Sequence, residues 1–364
     1  MSSPVLYRKY RPIHFDEVVG QEHVVVPLKN ALKKNRIAHA YLFSGPRGVG
    51  KTTLARIIAK SLNCQTADSE KPCGACAACI EFQQGRTLSV IEIDAASNRG
   101  IDEIRELREG VRFLPSQGHY KTYIIDEVHM LTREAFNALL KTLEEPPSHA
   151  VFVLATTEIE KVPATIVSRT QHYSFRRPRV SEIASRIQMI AQKEGAILEE
   201  DGALIIAHAA EGSIRDGESI LGQIMAVQDA HITREEVEQI LGLPPREAIK
   251  KLFAEITQKN HIQVFTLIQD ITESGLDLAY VTKILLSYFR SALFLKTDPS
   301  LDSLVASHVL PDELEHIKSH LPSFTKEQLA SAVARILENM QRFRRTPLPQ
   351  LPLEVTVMEL MTIT

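Results

Sequence analysis

This 364-residue sequence has little net charge and few long apolar runs, and both shortages restrict its function. The formal net charge is −3, so no overall basic field indicates a nucleic-acid-binding protein, and any DNA contact must be local or built by assembly. The N-terminal segment lacks the apolar core of a signal peptide, and we recognise no apolar stretch of about 18 residues. We therefore expect a cytoplasmic protein without a membrane span.

Cysteine is also scarce, and its placement is informative. All four cysteines lie in one window with the spacing C-x8-C-x2-C-x2-C, namely Cys64, Cys73, Cys76 and Cys79. In a cytosolic protein this spacing favours a metal site over disulfides. Four thiolates suit a closed tetrahedral Zn²⁺ site, which is structural because no coordination position is left for a substrate. A redox pair and an iron–sulfur cluster are the alternatives.

A complete G-x-x-x-x-G-K-T phosphate loop lies between an apolar run and a helix-prone run. Its residues are Gly45, Pro46, Arg47, Gly48, Val49, Gly50, Lys51 and Thr52, followed by Thr53. The glycines let backbone N–H groups turn toward a polyphosphate, and the start of the next helix adds the positive end of its dipole. We expect Lys51 to bridge the β- and γ-phosphates and the Thr52 hydroxyl to hold Mg²⁺. The motif predicts binding of a nucleoside triphosphate.

A second element bears on whether the bound nucleotide is hydrolysed. The β-rich apolar run from Lys121 ends in two carboxylates, Asp126 and Glu127. Such a continuous run is typical of a buried parallel strand, and nucleotide sites of open α/β sheets lie at the carboxyl ends of strands. Asp126 suits Mg²⁺, and Glu127 suits polarisation of the attacking water, although a solvated acidic pair is the alternative. Together the two elements predict an ATPase.

Strand and helix patterns alternate along the first half of the chain. Strands are predicted at about 40–43, 89–94, 121–127, 150–157 and 171–175, with helices between them and the cysteine module inserted at about 63–85. This alternation predicts a parallel sheet covered by helices on both faces. From about residue 180 only helical periods remain. We therefore predict three domains: an α/β P-loop domain at 1–179, a helical lid at 180–242 and an all-helical domain at 243–364.

These motifs, in this order, resemble those of the tau/gamma subunits of bacterial DNA polymerase III, the AAA+ ATPases of the sliding-clamp loader. The resemblance is carried by the runs YRKYRP at 7–12, FDEVVGQ at 15–21, IDEVHM at 125–130 and LLKTLEEPP at 139–147, together with the phosphate loop and the four-cysteine insertion. It covers roughly residues 4–242 most strongly. The helical remainder is compatible with the collar domain of that family.

The resemblance implies roles for three more residues. Thr157 corresponds to the polar sensor of the γ-phosphate, Arg169 to a finger that reaches into a neighbouring subunit's site, and Arg215 to a lid arginine that touches the nucleotide in cis. A guanidinium suits both arginine roles because it is always charged and forks onto phosphate oxygens. For each arginine, a surface or lid salt bridge is the alternative. The family triplet commonly ends in Cys where this chain has Thr170.

The implied activity couples ATP to assembly. ATP at subunit boundaries orders a ring that holds the clamp open around primed DNA, and hydrolysis releases both. The implied partners are delta- and delta-prime-type loader subunits, the sliding clamp and primed DNA, with self-association through the collar. The cofactors are ATP, Mg²⁺ and Zn²⁺. Arg99 and Arg105, near the start of the predicted helix at 101–113, are placed to meet DNA phosphates, and a solvated helix face is the alternative.

Two other functional classes stay open. One is a different AAA+ motor, such as a branch-migration helicase or an unfoldase, although we find no aromatic-hydrophobic-Gly pore loop in the sequence. The other is a non-hydrolysing scaffold subunit of the loader. The intact Lys51, Thr52, Asp126 and Glu127 argue against a scaffold.

Overall fold

The computed structural model describes residues 5–66, 71–115, 118–227, 230–306, 309–344 and 346–363. The chain divides into two compact units. One comprises Met1–Ile190 with Ala207–Gln223, and the other comprises Ala191–Ile206 with Ile224–Thr364. The predicted division into three domains stays a prediction.

The first unit is built on a five-stranded parallel sheet with the spatial order β2-β3-β4-β1-β5. The strands are β1 (Ala40–Ser44), β2 (Val90–Asp94), β3 (Lys121–Asp126), β4 (Ala150–Thr156) and β5 (Gln171–Ser174). The central strands β3, β4 and β1 are almost wholly buried, as their continuous apolar runs predict. The predicted sheet is confirmed, and each predicted strand end lies within one residue of the observed end.

Helices precede the first strand and connect the others in the first unit. Those wholly within it are α1 (Leu6–Lys9), α2 (Glu22–Lys33), α3 (Lys51–Leu62), α4 (Ala77–Gln83), α5 (Ile101–Val111), α6 (Arg133–Glu144) and α7 (Ala164–Val167). Short 3₁₀ helices lie at Phe15–Glu17, Val128–Met130 and Ile159–Lys161. Three helices have residues in both units: α8 (Val180–Lys193), α9 (Glu200–Ala209) and α10 (Ile214–Met225).

The two faces of the sheet have separate cores, because successive side chains of a strand point to opposite faces. Leu42, Ile125 and Leu154 belong to the core that includes buried residues of α5 and α6. Phe43 and Val153 belong to the other core, with buried residues of α2 and α3. The sheet is thus covered by helices on both faces. The phosphate loop leads into α3, and its Val49 is buried in the same core as α3.

The second unit is mainly helical. Its helices are α11 (Arg234–Ile240), α12 (Arg246–Thr257), α13 (His261–Glu273), α14 (Leu278–Thr297), α15 (Asp302–Ala306), α16 (Pro311–His320), α17 (Lys326–Met340) and α18 (Leu351–Ile363), with 3₁₀ helices at Pro299–Leu301, Leu321–Ser323 and Gln341–Arg344. It also contains one parallel pair of two-residue strands, β6 (Ile197–Leu198) and β7 (His231–Ile232). This pair corrects the expectation of no strands beyond residue 180, since two residues are too few to show a periodic pattern.

An ion pair is buried where α12 meets α16. Arg246 Nη1 donates to Glu313 Oε1 at 2.8 Å, and both side chains are at most 8% exposed. The same carboxylate accepts the Tyr288 hydroxyl at 2.8 Å and the Leu310 N–H at 3.0 Å. Every part of the Glu313 carboxylate is therefore compensated by a donor, as a buried charge requires.

Helix α14 corrects the expectation that no apolar stretch of about 18 residues is present, although the sequence does indicate a long apolar helix at about 278–295. Among the described residues it is the one helix whose length and composition would allow it to cross a membrane. In this structure 56% of its most apolar stretch is buried within the protein. Its side chains, including Val281, Leu285 and Phe289, form the centre of the helical core. Burial against other helices accounts for its apolar composition.

Candidate active site

The phosphate loop leads from β1 into α3, and two of its positive-φ glycines also lie against close neighbours. Gly48 has φ +75°, and a Cβ there would lie 1.9 Å from the Ser213 hydroxyl. Gly45 has φ +141°, and a Cβ there would lie 2.4 Å from the carbonyl oxygen of Phe175. Both the left-handed backbone and the close neighbours exclude a side chain. The loop is therefore tightly curved and packed on its surroundings.

The side chain of Lys51 lies against the phosphate loop. Lys51 is only 6% exposed, and its Nζ donates to the carbonyl oxygens of Gly45 and Pro46, each at 2.7 Å. Burial lowers the pKa of Lys51, while the nearby charges of Glu127 and Asp126 oppose that shift. The ammonium group is thus held at the phosphate loop, where the motif predicts contact with the outer phosphates.

The carboxyl end of β3 brings two oxygen ligands together. The Thr52 hydroxyl, in the first turn of α3, donates to Asp126 Oδ2 at 2.7 Å. Asp94 at the end of β2 pairs with Asp126 in the strand register, so a further carboxylate lies along the same edge. Hydroxyl and carboxylate oxygens are the ligands that Mg²⁺ uses beside substrate phosphates. These residues fit the predicted metal position.

Glu127 contacts the predicted sensor directly. Its backbone is left-handed with φ +48°, an uncommon conformation for a residue other than glycine that is concentrated at functional sites. Its Oε2 accepts the Thr157 hydroxyl at 2.8 Å and the Thr157 N–H at 3.2 Å. The carboxylate predicted to polarise water and the side chain predicted to sense the γ-phosphate therefore form one hydrogen-bonded pair.

A cavity of about 370 Å³ opens beside the loop. Of the predicted nucleotide residues, those from Arg47 to Thr53 and Arg215 line it, as do Asp126 and Glu127. Gly45 and Pro46 form the start of the loop and are not among its lining residues, and neither is Thr157. The structure thus brings the glycine loop, both carboxylates and the lid arginine to one concave surface.

The cavity wall also contains residues to which the sequence assigned no role. Arg186 and Glu218 form an ion pair with 3.0 Å between Nε and Oε1, both nearly buried, and Arg186 also donates to the carbonyl oxygen of Tyr10. Burial raises the pKa of the Glu218 carboxyl, and the Arg186 charge opposes that rise. The Tyr7 ring lies 4.8 Å from the Arg215 guanidinium carbon. Tyr7 belongs to the run at 7–12 that carried the resemblance. Arg186 and Glu218 are separated by 32 positions, so no local sequence pattern identifies their pairing.

Three predicted arginines lie outside this cavity. Arg169 Nη2 contacts Glu144 Oε1 at 2.7 Å on the surface. Arg99 Nε donates to the carbonyl oxygen of Ala96 at 3.0 Å, and Arg105 pairs with Asp102 at 3.0 Å. All three side chains are solvent-accessible, and their predicted roles toward a neighbouring subunit or DNA stay predictions.

The four cysteines converge at one point beside α4. Their Sγ atoms all lie within 4.8 Å of one another, and all four thiols are free. Cys73 Sγ and Cys79 Sγ are 4.0 Å apart, close to the separation of about 3.8 Å between sulfurs in a tetrahedron with Zn–S bonds of about 2.3 Å. The donor set and its geometry fit a Zn²⁺ ion, and the distance excludes a disulfide between these two atoms.

The surroundings of the four thiols differ. Cys64 Sγ accepts the Cys73 N–H at 3.4 Å, and Cys73 Sγ accepts the Cys76 N–H at 3.3 Å. Hydrogen bonding, first from the Thr66 side chain, lowers the pKa of Cys73 to about 5, whereas burial raises the pKa of Cys79 to about 12. A cation bound among four such sulfurs would favour the thiolate of each.

Two family models match separate parts of the chain. The family model described as "DNA polymerase III, delta subunit" matches residues 20–179, and the one described as "DNA polymerase III subunits gamma and tau domain III" matches residues 232–364. A solved structure of the Thermotoga maritima RuvB branch migration motor aligns with a TM-score of 0.48 at 21% identity, covering 68% of this chain and 79% of that one. A likeness of this size says nothing about activity.

Curated relatives match over much longer stretches. DNA polymerase III subunit tau of Bacillus subtilis is 41% identical over 99% of this chain and 63% of its own length, and that of Escherichia coli is 44% identical over 76% and 43%. This chain therefore spans less than two thirds of the length of these tau proteins. DNA polymerase III subunit gamma of Buchnera aphidicola is 38% identical over 83% of both chains. The chain belongs to the family of gamma and tau subunits of DNA polymerase III.

Proposed function

We propose that this chain is an ATPase subunit of a bacterial clamp loader, in which ATP binding and hydrolysis drive loading of the sliding clamp onto primed DNA. One observation carries the proposal. The Thr52 hydroxyl and the Asp126 carboxylate meet at 2.7 Å in the cavity of the glycine loop, and Glu127 follows directly. This is the arrangement that holds a metal–nucleotide complex beside a group able to orient water.

The residues in and beside the cavity have separate roles in hydrolysis. The N–H groups of the phosphate loop and the Lys51 ammonium bind the phosphates. Thr52 and Asp126 would hold Mg²⁺, which would supply positive charge to neutralise the phosphates. Glu127 orients the attacking water, and Thr157 responds to the γ-phosphate. Arg215 contacts the nucleotide bound by its own chain. Loss of the γ-phosphate contacts then changes which state of the assembly is favoured.

Residues outside the cavity serve the assembly. Arg169 acts in trans, at the nucleotide site of a neighbouring subunit, because its surface position is distinct from the cavity of its own chain. Arg99 and Arg105 face DNA phosphates inside the assembled ring. The collar at 243–364 supports self-association, and the lid at 180–242 carries Arg215. The further partners are delta- and delta-prime-type subunits, the clamp and primed DNA, all in the cytoplasm.

The cysteine module contributes stability. Cys64, Cys73, Cys76 and Cys79 hold a structural Zn²⁺ that fixes the insertion between α3 and β2. Because four protein sulfurs complete a tetrahedron, no position remains for a substrate, and binding of the ion contributes to folding.

ATP turnover of the assembled subunits tests this function. We expect slow hydrolysis by the isolated chain, and stimulation by the other loader subunits with clamp and primed DNA. A Lys51→Ala chain assembled in the same way is the control for contaminating ATPases. Complete absence of hydrolysis with normal assembly would indicate a scaffold. Stimulation by branched DNA without any effect of the clamp would indicate a different motor.

A further inference from the structure

His129 occupies a connecting position behind the carboxylate of Glu127. It lies in the 3₁₀ helix Val128–Met130, and its side chain is only 5% exposed. Its Nδ1 is 3.0 Å from the Thr156 hydroxyl and 3.4 Å from Glu127 Oε2, and its Nε2 is 3.2 Å from Glu158 Oε1. Both nitrogens of this buried imidazole have polar neighbours, so His129 makes specific polar contacts and does not only fill space.

The groups on either side of the imidazole are a hydroxyl and a carboxylate. A hydrogen bond from Lys161 lowers the pKa of the Glu158 carboxyl, which is therefore ionised, and its Oε1 makes a polar contact of 3.2 Å with Nε2 of His129. The Thr156 hydroxyl accepts the Glu158 N–H at 3.0 Å and has its own hydrogen left to donate to Nδ1. The Thr156 hydroxyl is thus hydrogen-bonded to both His129 and the Glu158 backbone, while the Glu158 carboxylate contacts the other side of the imidazole.

This set surrounds the residue that holds Glu127. Thr157 lies between Thr156 and Glu158, and the side chains of both neighbours contact the His129 imidazole. Thr157 in turn presents its N–H and its hydroxyl to Glu127 Oε2 at 3.2 and 2.8 Å. The position of the Glu127 carboxylate therefore depends on the segment that His129 fixes.

We propose that His129 is a positioning residue for ATP hydrolysis, which sets the geometry of the Thr157–Glu127 pair through its hydrogen bond with Thr156 and its contact with the Glu158 carboxylate. This role rests on the proposed ATPase function. His129 lies behind the carboxylate rather than in the cavity wall, so it orients the base without contacting nucleotide. Its removal should lower kcat and leave nucleotide affinity unchanged, because misplacement of a catalytic group by about 1 Å costs up to about 100-fold in rate.

Substitutions at His129 separate hydrogen bonding from packing. His129→Phe keeps a ring of similar volume and removes the hydrogen bond with Thr156 and the polar contact with Glu158. His129→Asn retains an amide near the Nδ1 position, and His129→Gln retains one near the Nε2 position. Each variant is assembled with the loader subunits, clamp and primed DNA, and its kcat, KM, ATP dissociation constant and melting temperature are measured against wild type.

We expect His129→Phe to lower kcat about 10- to 100-fold with the ATP dissociation constant unchanged. His129→Asn should recover more of kcat than His129→Gln, because the hydrogen bond to Thr156 fixes the residue directly before Thr157. A double-mutant cycle with Thr156→Val should be non-additive, with the double variant no slower than the slower single variant.

Several outcomes would overturn the positioning role. One is a His129→Phe assembly with wild-type kcat, and another is a change confined to nucleotide affinity. If His129→Phe does not fold, equal or reversed rates of the Asn and Gln variants would refute the role. Absence of turnover in the wild-type assembly would refute the proposed ATPase function and the role together, whereas normal wild-type turnover with a fully active His129→Phe refutes the role alone.

Discussion

The proposed role of Arg169 across a subunit boundary makes a quantitative prediction. An arginine finger supplied in trans is worth about 10³–10⁵ in turnover. At about 1.36 kcal/mol for each factor of ten, this corresponds to about 4–7 kcal/mol of transition-state stabilisation. Arg169→Ala should therefore abolish nearly all ATP turnover that depends on assembly.

The ion pair seen within the chain is too weak to account for such an effect. Arg169 and Glu144 are 2.7 Å apart, but their side chains are 36% and 49% exposed. Exposed ion pairs contribute about 0–1 kcal/mol, so releasing Arg169 from Glu144 costs little compared with what a finger provides. The matched control is Glu144→Gln, which removes the partner and should change turnover by less than about fivefold.

Two measurements distinguish a role of Arg169 in trans from a role as a surface salt-bridge residue. ATP affinity of the isolated Arg169→Ala chain should equal that of wild type, because the residue lies outside the cavity of its own chain. Mixing Lys51→Ala and Arg169→Ala chains should restore part of the activity wherever an intact site meets an intact finger. An Arg169→Ala assembly that retains full stimulated turnover would refute the trans role and leave Arg169 as a surface salt-bridge residue.

Three further predictions follow from other parts of the structure. Cys76→Ser should reduce bound zinc and lower the melting temperature, and metal analysis that finds iron or no metal in reduced wild-type protein would contradict the zinc assignment. Lys51→Ala should weaken nucleotide binding and turnover together, measured by titration with labelled ATP and by phosphate release, since it removes a phosphate contact. Arg246→Met should lower the free energy of unfolding by about 3 kcal/mol because it leaves Glu313 charged and buried, and urea denaturation that shows no change would contradict this.

Local sequence patterns were sufficient for the sheet and for the loop at its edge. The buried strands are continuous apolar runs. In a parallel sheet the carboxyl end of β3, which carries Asp126, lies at the same edge as the phosphate loop, which carries Thr52. The cysteine spacing similarly brought four sulfurs to one point. In these cases the determining interactions lie within a few residues or follow from one rule of topology.

Contacts between distant elements could not be read from the sequence. The pairing of Arg186 with Glu218 depends on how two helices pack, and neither residue belongs to a recognisable motif. His129 lies within the motif at 125–130, but its contact with Thr156 depends on the neighbouring strands β3 and β4. The sequence indicates a long apolar helix at about 278–295, but the place of α14 at the centre of the helical core follows only from packing. Each of these features is set by tertiary packing rather than by local periodicity.

The central claim is that Glu127 turns nucleotide binding at this site into clamp loading, and a Glu127→Gln assembly tests it most directly. Glutamine keeps the shape of the side chain but cannot act as a base. With clamp and primed DNA present, we predict that ATP binds with wild-type affinity, that single-turnover hydrolysis slows by about 10²–10⁴, and that the clamp remains held by the loader. Hydrolysis at the wild-type rate, or normal release of the clamp while ATP persists, would contradict the account.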